Sequence, residues 1–483
     1  MQFKVIQRIL GILLALFSLT MLPPLLISIW GKDGAAPAFA TAMMLILGVG
    51  VLLWTPVRHV HKEMRLRDGF IVVVLFWAGL GLAGSVPLIL SEEPVMSSTD
   101  AVFESISALT TTGATVITGI DNLPRSILFY RQELQWLGGM GIIVLAVAIL
   151  PMLGIGGMQL YRAETPGPVK DTKLTPRITE TAKALWYIYL TLTIACAVAY
   201  WLAGMDVFDA VSHSFSTVSI GGFSTHDLSM GYFNDRTIDA VAAFFMVISG
   251  VNFSLHFLFW RSMNPDVYRQ DPEFRTYLVA LASVCVIVCG ILIYEQVYED
   301  HTTAITHGIF QSISIATTTG FTTTTHHSWP KFLPVLLIFT SFIGACAGST
   351  GGGLKVVRIL LLFKQGRREI QRLIHPNAII TIKLGDKPVG ESIMNSIWGF
   401  FASYVSVFAI IMLLLMATDL NQVTAFSATA ACINNLGPGL GDVSTHYGDI
   451  NNTAKWLLCL AMLFGRLEIF TLLVLLTPTF WRK

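Results

Sequence analysis

The sequence DAVFESISALTTTGATV, from Asp100 to Val116, decides the fold: a short apolar helix punctuated by serines runs into three threonines and a glycine. Three more segments align with it without a gap. They are DAVSHSFSTVSIGGFST (Asp209 to Thr225), HGIFQSISIATTTGFTT (His307 to Thr323) and TAFSATAACINNLGPGL (Thr424 to Leu440). We call them segments 1 to 4. Intervals of 109, 98 and 117 residues between their glycines indicate a repeat of about a hundred residues.

Glycine occupies the fourteenth position of all four segments, at Gly113, Gly222, Gly320 and Gly437. Small or hydroxylated residues precede it in most copies, and glycine itself allows a positive φ, so the backbone carbonyls can turn the same way. Four such strands around one axis can replace the hydration shell of a cation, as the four loops of a potassium channel do. A single TTTG is more often an ordinary loop, but four aligned copies favour an ion filter.

The composition places this chain in a membrane. Of its 483 residues, 54% are hydrophobic and only 13% are charged, about half the charged share of a soluble domain. Apolar stretches of about twenty residues recur, which is the length of a transmembrane helix. The first stretch, Ile9 to Trp30, is too long for the core of a signal peptide and is interpreted as an uncleaved span. The cysteines are interpreted as small buried hydrophobic residues.

The order of these stretches predicts an all-α polytopic membrane protein. Two leading transmembrane helices precede four repeats, each of which consists of a helix, a pore loop and a second helix. The repeats surround a pseudo-fourfold ion pore, which gives ten spans and four re-entrant pore helices in all. The predicted divisions are residues 1–68 for the leading helices, 69–183 for repeat 1, 184–275 for repeat 2, 276–395 for repeat 3 and 396–483 for repeat 4. Returning spans are predicted at Ile127 to Leu150, Ile238 to Trp260, Pro330 to Phe363 and Ala454 to Thr477.

Lysine and arginine predict the orientation. With ten spans both termini share a side, and the loops on that side hold 24 of the 31 basic residues, so the termini are predicted to be cytoplasmic. The opposite side holds 18 of the 30 acidic residues, which would concentrate cations at the entrance. No nucleotide-binding motif, nucleophile with a base, or metal-ligand spacing is found, so neither an enzyme nor a nucleic-acid-binding protein is predicted. The histidines are interpreted as surface or packing residues: His213, His226, His256, His307, His326 and His327.

Several stretches resemble the Trk/Ktr/HKT superfamily, most of all the membrane subunits of the bacterial Trk potassium-uptake systems. They are the four segments, QWLGGMGIIVLAVAILPMLG (135–154), GSTGGGLK (348–355) and FGRLEIFTLLVLLTPTFW (464–481), and the resemblance covers essentially the whole chain. It implies potassium bound by the residues around each filter glycine: Thr111, Thr112, Gly113, Ile220, Gly221, Gly222, Thr318, Thr319, Gly320, Asn435, Leu436 and Gly437. Glycine in all four copies favours potassium over sodium. Because SIGG and NNLG depart from TTTG, poorer discrimination is expected, with rubidium accepted and some sodium leakage.

Gly344 to Gly353 (GACAGSTGGG) interrupts the span Pro330 to Phe363 and is a candidate gate. Five glycines in ten residues make a poor helix interior, and irregular backbone at this depth lines a cavity or is buried in protein. The alternative is a glycine-lined packing face for close helix contact. The resemblance implies a loop below the filter that blocks the pore until it moves. The gate residues are then Gly348, Ser349, Thr350, Gly351, Gly352 and Gly353.

Arg466 lies about twelve residues into the last span, where an unpaired charge is costly. It either faces the pore, where its charge opposes cation flow through the closed gate, or forms a structural ion pair with another helix. Glu468 points elsewhere on the helix and is not its ready-made partner. Glu104 either adds negative field near the entrance or makes a capping or hydrogen-bonding contact. Arg131 and Glu133 are predicted to lie at the outer interface.

The predicted function is potassium uptake of low to moderate selectivity across the bacterial inner membrane. The chain would bind no cofactor itself, with K⁺ as the transported ion. The resemblance implies a homodimer and a cytoplasmic TrkA-type regulatory subunit that binds NAD and adenine nucleotides and docks on basic loops such as Lys364 to Arg372. A potassium/proton symporter is the alternative, for which Glu104 and Glu468 would be the candidate titratable groups. A membrane scaffold or sensor without transport is a second rival.

Overall fold

A computed structural model of the chain describes residues 1–60, 65–141, 178–330, 332–378 and 380–482. Its regular structure in these ranges is helical, apart from a hairpin of Lys383–Leu384 with Lys387–Pro388. The helices before segment 3 are α1 (Phe3–Ser18), α2 (Leu22–Gly31), α3 (Ala36–Trp54), α4 (Leu66–Gly84), α5 (Val86–Leu90), α6 (Ser98–Leu109), α7 (Arg125–Gly139), α8 (Ile178–Leu202), α9 (Val207–Val218), α10 (Arg236–Ser249), α11 (Phe253–Ser262), α12 (Asp266–Gln270) and α13 (Pro272–Tyr294). The remaining helices are α14 (His301–Ala316), α15 (Leu333–Ile343), α16 (Val356–Ile374), α17 (Glu391–Met416), α18 (Gln422–Ile433), α19 (Asn452–Arg466), α20 (Phe470–Leu476) and α21 (Pro478–Trp481).

The leading helices pack tightly against each other. A Cβ added to Gly11 of α1 would lie 2.8 Å from the carbonyl oxygen of Gly50 in α3, so glycine at this crossing lets the two backbones meet. Both chain ends contact the start of α4: Gln2 N donates to Asp68 Oδ1 at 3.1 Å, and Arg67 Nη1 donates to Arg482 O at 2.8 Å. The two termini therefore lie on the same face of the protein, as the even number of spans predicts.

Among the described residues, six helical stretches are long and apolar enough to cross a membrane, or up to eight if each of two bent pairs counts as one span. Ten spans were predicted, and the two beyond these eight are Ile127 to Leu150 and Pro330 to Phe363. Residues 142–150 of the first lie outside the described ranges, and the second is divided into α15 and α16. The count of ten spans stays a prediction.

Two returning spans that we predicted as continuous are bent. The axes of α10 and α11 differ by 92°, and those of α19 and α20 by 116°. At the first bend, Asn252 accepts a hydrogen bond from Ser254 N and caps α11. At the second, the consecutive residues Glu468 and Ile469 have φ of +53° and +55°, which a right-handed helix excludes. Neither bend is marked by proline, so the apolar pattern alone did not reveal them.

The same arrangement of three helices occurs four times: a long helix, a short helix within the repeated segment, and a returning helix. The sets are α4, α6 and α7; α8, α9 and α10; α13, α14 and α15; and α17, α18 and α19. The four short helices have 12, 12, 16 and 12 residues, and each ends at the tenth position of its segment. Each begins with a side-chain cap, from Ser97, Asp206, Asp300 and Asn421 respectively, which satisfies otherwise free amides.

The returning helices close this arrangement into a ring. Each packs against the short helix of the next repeat: α7 against α9, α10 against α14, and α15 against α18. The last returning helix, α19, packs against the first short helix, α6. The C-terminal ends of all four short helices, one from each set, are thereby brought to the centre of the protein.

Candidate functional site

The glycines at the fourteenth position of the four segments lie in a closed ring. A Cβ added to Gly113 would lie 2.2 Å from the carbonyl oxygen of Gly221, the thirteenth residue of the next segment. The same relation holds for Gly222 with Thr319 O at 2.0 Å, Gly320 with Leu436 O at 2.2 Å and Gly437 with Thr112 O at 2.6 Å. The last contact returns to segment 1. The structure therefore brings the predicted filter residues of all four segments together, with a carbonyl oxygen at each junction.

Each segment reaches the ring through two left-handed residues. The fourteenth-position glycines have φ of +78°, +80°, +84° and +96°. The twelfth residues are left-handed too, with φ of +56° at Thr111, +55° at Ile220, +68° at Thr318 and +53° at Asn435. We did not predict the second feature, since threonine and isoleucine rarely adopt a positive φ.

A shared helix ending explains the left-handed twelfth residue. In each segment the amide of the thirteenth residue donates to the carbonyl of the eighth, as Thr112 N does to Ser107 O at 2.8 Å and Gly221 N to Ser216 O at 2.8 Å. A left-handed residue with this bond across the last turn is a common way to end a helix. Because the four helices end here, their partial negative charges, about half an electron each, face the ring and favour a cation nearby.

Segments 1 and 3 share one pattern of side-chain bonds. In segment 1 the hydroxyls of Thr110 and Thr112 are 2.7 Å apart, and in segment 3 those of Thr317 and Thr319 are 2.8 Å apart. All four side chains are buried. The threonines of the TTTG motif therefore hold their own backbone by turning their hydroxyls to each other.

Segment 2 uses a neighbouring helix for the same purpose. Gln135 of α7 donates through Nε2 to Gly221 O at 2.6 Å and accepts through Oε1 from Phe223 N at 3.1 Å. A Cβ on Gly221 would lie 2.5 Å from Cδ of Gln135, so the second glycine of SIGG makes room for this amide. In segment 4, Asn435 Nδ2 donates to Thr112 Oγ1 at 3.0 Å and to Met462 O at 3.1 Å. The two segments that depart from TTTG are thus held by amide side chains.

The glycine-rich stretch between α15 and α16, residues 344–355, is a loop and not a helical packing face. The first helix ends at Ile343 and the second begins at Val356. We call this stretch the gate loop, after its predicted role. It contacts the ends of three short helices: Thr350 Oγ1 donates to Val218 O at 3.0 Å, Gly352 N to Thr318 Oγ1 at 2.7 Å, and Gly353 N to Asn434 O at 3.2 Å.

Arg466, the last residue of α19, connects this loop to the ring. Its Nη1 donates to Thr350 O at 3.2 Å and to Thr111 Oγ1 at 3.3 Å, and its Nη2 donates to Gly138 O at 2.5 Å. The guanidinium also lies 5.1 Å from the centroid of the Trp77 ring. A positive charge is therefore held between segment 1 and the gate loop.

The carboxylates predicted near the membrane core are paired. Glu104 is fully buried and accepts from Arg131 at 2.8 Å and from Val116 N at 2.9 Å, so it makes the hydrogen bond to a neighbouring loop that was one of our two alternatives. Glu468 pairs with Arg358 of α16 and not with Arg466, in line with its predicted direction.

Arg131 and Glu133, which we predicted at the outer interface of the membrane, are both buried inside the protein. Their depth in the membrane stays a prediction. Arg131 is held inside by Glu104, and it also packs over the ring of Phe223, with 4.2 Å from its Cζ to the ring centroid. Glu133 keeps one carboxylate oxygen, Oε2, that has no hydrogen-bond partner in the part of the chain that the structure describes. Position along the helix suggested an interface, but the sequence could not show that segment 2 covers this side of α7.

The histidines differ in their surroundings. His213 and His326 are buried, as packing residues are expected to be. His226, in the loop after segment 2, instead lies between two carboxylates, with Nδ1 2.6 Å from Asp121 and Nε2 3.2 Å from Asp209. Within the described ranges no group of three His, Cys, Asp or Glu side chains is arranged to hold a metal ion.

The His226 cluster predicts a pH dependence of stability. Burial lowers the pKa of His226, but its hydrogen bonds to Asp209 and Asp121 outweigh burial, and the pKa lies above the ordinary value of 6.5. A raised pKa means that the cluster stabilises fully below pH 6.5 and loses this contribution as the pH rises through the His226 pKa. We therefore expect the thermal unfolding midpoint of the purified protein to fall between pH 6 and 8.5, and His226→Gln to flatten this slope.

His375, which is exposed at the end of α16, provides the control. His375→Gln should keep the slope of the unmodified protein. Equal slopes in the unmodified protein and in His226→Gln would show that the pH dependence arises elsewhere.

Apolar helices that cross a membrane, with four related segments that meet at one central ring, define a polytopic α-helical membrane protein with a built central site. A family model described as TrkH, cation transport protein, matches residues 35–483. The chain belongs to this family of cation transport proteins.

Individual relatives match this chain over all or nearly all of its length. The chain is 59% identical to the Trk system potassium uptake protein TrkH of Vibrio parahaemolyticus and 55% identical to TrkH of Escherichia coli, with 100% of each chain covered. It is 41% identical to Trk system potassium uptake protein TrkG of Escherichia coli, with 99% of each chain covered. The crystal structure of the potassium transporter TrkH from Vibrio parahaemolyticus matches with a TM-score of 0.92 and 56% identity over all of both chains. These relatives are named as uptake proteins and not as enzymes.

Proposed function

We propose that this protein takes up potassium across the bacterial inner membrane through a pore at the ring of four segments. The observation that carries the proposal is the ring itself, in which each glycine meets a carbonyl oxygen of the next segment. Carbonyl oxygens in a ring replace the water around a potassium ion. The names of the relatives, which are potassium uptake proteins, support potassium as the transported ion.

The proposed filter is built from the twelfth to fourteenth residues of the four segments. Backbone carbonyls there would coordinate potassium, while the Thr, Gln and Asn side chains described above hold the backbone. Segments 1 and 3 share threonine pairs whereas segments 2 and 4 use amides, so the four sides of the filter differ. We therefore expect moderate selectivity, with rubidium accepted and some sodium leakage.

The gate loop is proposed to block the pore on the inner side of the filter. Its contacts with Val218, Thr318 and Asn434 lie at the ends of the short helices, where an ion leaving the filter would pass. Arg466 adds a positive charge at the same level and so opposes the entry of cations. Opening would require that the loop and Arg466 move from these contacts.

The orientation and the partners are proposals as well. The basic loops favour cytoplasmic termini, by the excess of lysine and arginine on that side. The helix α16 extends from the gate loop and presents basic residues of Lys364 to Arg372, so a TrkA-type nucleotide-binding subunit docked there could pull directly on the loop. A homodimer in the membrane and the repeat boundaries given above complete the proposal.

Proton-coupled symport remains the alternative function, and the carboxylates bear on it. A proton-coupling group must alternate between charged and neutral forms, yet Glu104 is paired with Arg131 and Glu468 with Arg358. Glu133, with one oxygen that has no hydrogen-bond partner among the described residues, is therefore the better candidate for a coupling residue if transport is driven by protons.

Growth of a bacterial strain without its own potassium-uptake systems tests the proposal. Expression of this chain should restore growth at low external potassium, whereas a variant with Gly320→Ala should not, although it is present in the membrane in equal amount. Equal growth with and without the chain, when the host supplies its Trk regulatory subunit, would contradict potassium uptake.

A further inference from the structure

A buried glutamate outside the predicted site contacts the gate loop near its start and the first turn of α16, which follows the loop. Glu273 lies in the first turn of α13 and is 8% exposed. Its Oε1 accepts from Ala347 N at 2.6 Å and from Val357 N at 3.2 Å. One carboxylate oxygen therefore binds the amide just before residues 348–356 and the amide just after them.

These contacts differ from those that shape the base of the loop. Leu354 N donates to Phe342 O at 2.9 Å and Val356 N to Ala345 O at 3.2 Å, and both bonds stay within the loop and its flanking helices. Glu273 instead fastens the loop to a separate helix. Hydrogen bonds from amides to an ionised carboxylate are about twice as strong as neutral ones, so this attachment is a strong one.

The position of Glu273 also gives a means of release. The short helix α12 and its junction with α13 precede it, and Asp271 caps α13 by accepting from Phe274 N at 2.7 Å. Because Glu273 sits two residues after this cap, a shift of the junction moves the carboxylate away from both amides together. The gate loop and the first turn of α16 would then lose these contacts in one step.

We propose that Glu273 is a positioning residue that holds the gate loop closed, and that movement of the α12–α13 junction releases it. The inference rests on the gating role of the loop proposed above. In this proposal the α12–α13 junction, on the same side as the proposed docking helix α16, transmits a partner's movement to the gate loop.

Rubidium flux through the purified full-length protein in liposomes tests the proposal. We expect Glu273→Ala to raise basal flux about tenfold, because two charge-assisted hydrogen bonds are lost. Glu273→Gln should give a smaller rise, since its amide oxygen still accepts but carries no charge. Glu391→Ala is the matched control, because Glu391 also lies in the first turn of a long helix but is exposed. Its flux should stay at the unmodified level.

A second readout distinguishes release of the loop from general unfolding. Cys346 lies in the gate loop and is buried with a free thiol. In a background where the other five cysteines are replaced, Glu273→Gln should label faster with a water-soluble thiol reagent while its rubidium-to-sodium flux ratio is unchanged. If Glu273→Ala does not fold, this labelling of Glu273→Gln decides the matter.

These outcomes distinguish the role of Glu273 in holding the gate loop closed, which we call the latch, from the gating role of the loop itself. Raised flux in Arg466→Ala, together with unmodified flux and labelling in both Glu273 variants, would overturn the latch and leave the gate in place. Unmodified flux and labelling in all three variants would overturn the gating role and the latch with it.

Discussion

Gly222→Ala is expected to reduce potassium flux more than a hundredfold without loss of the folded protein. The added Cβ would lie 2.0 Å from Thr319 O, a backbone atom of the next segment that cannot turn aside as a flexible side chain can. The residue also has φ of +80°, where an alanine costs about 1–2 kcal/mol. The added Cβ displaces a carbonyl that we propose to bind the ion, so transport should fail before folding does.

Rubidium flux into liposomes measures this effect, and size-exclusion profiles report the fold. Gly290→Ala in α13 is the control, because nothing lies within 4 Å of its added Cβ and alanine favours a helix. Its flux should equal that of the unmodified protein. A folded Gly222→Ala protein with normal flux would show that ions do not pass through this ring.

Arg466→Ala is expected to raise basal flux about tenfold, which corresponds to the loss of a charge-assisted hydrogen bond of about 1.5 kcal/mol. The guanidinium holds Thr350 of the gate loop and Thr111 of segment 1 at the same time. Its removal frees the loop and also deletes a positive charge that opposes cations. The basal flux of Arg466→Lys should lie between that of Arg466→Ala and that of the unmodified protein, since lysine keeps the charge but cannot make the forked contacts.

The control for this prediction is Arg236→Ala. Arg236 is 61% exposed and lies 3.5 Å from Asp300, so its loss removes one positive charge without touching the gate. Unchanged flux in Arg466→Ala, accompanied by a lower unfolding temperature, would favour the structural interpretation of this arginine instead.

Most features that recur in the repeats could be predicted from the sequence, because aligned copies can be recognised without knowing any tertiary contact. The four short helices, the glycine at each fourteenth position and the interruption of the third returning helix all appear where the pattern placed them. Aligned copies suffice for such predictions. The closed ring itself also agrees with the order of the segments along the chain.

Features that follow from backbone hydrogen bonds at a helix end, or from contacts between distant segments, were missed. The left-handed Ile220 is one example, since its backbone is fixed by a helix ending that the residue type argues against. Arg131 is another: charge and position suggested an interface, yet Glu104 and Phe223 hold it inside. Gln135 opens the stretch 135–154 that carried the family resemblance, but no role was predicted for it or for Glu273, because their roles come from the backbone amides and carbonyls that they meet in the fold.

Ion flux into liposomes that contain the purified protein tests whether the ring of four segments is a potassium pore. Potassium or sodium is supplied at two external pH values while the membrane potential is clamped. We expect a flux that follows the potassium gradient, exceeds the sodium flux and ignores the pH gradient. Uphill potassium movement driven by a proton gradient would contradict it and would direct attention to Glu133 in place of the ring.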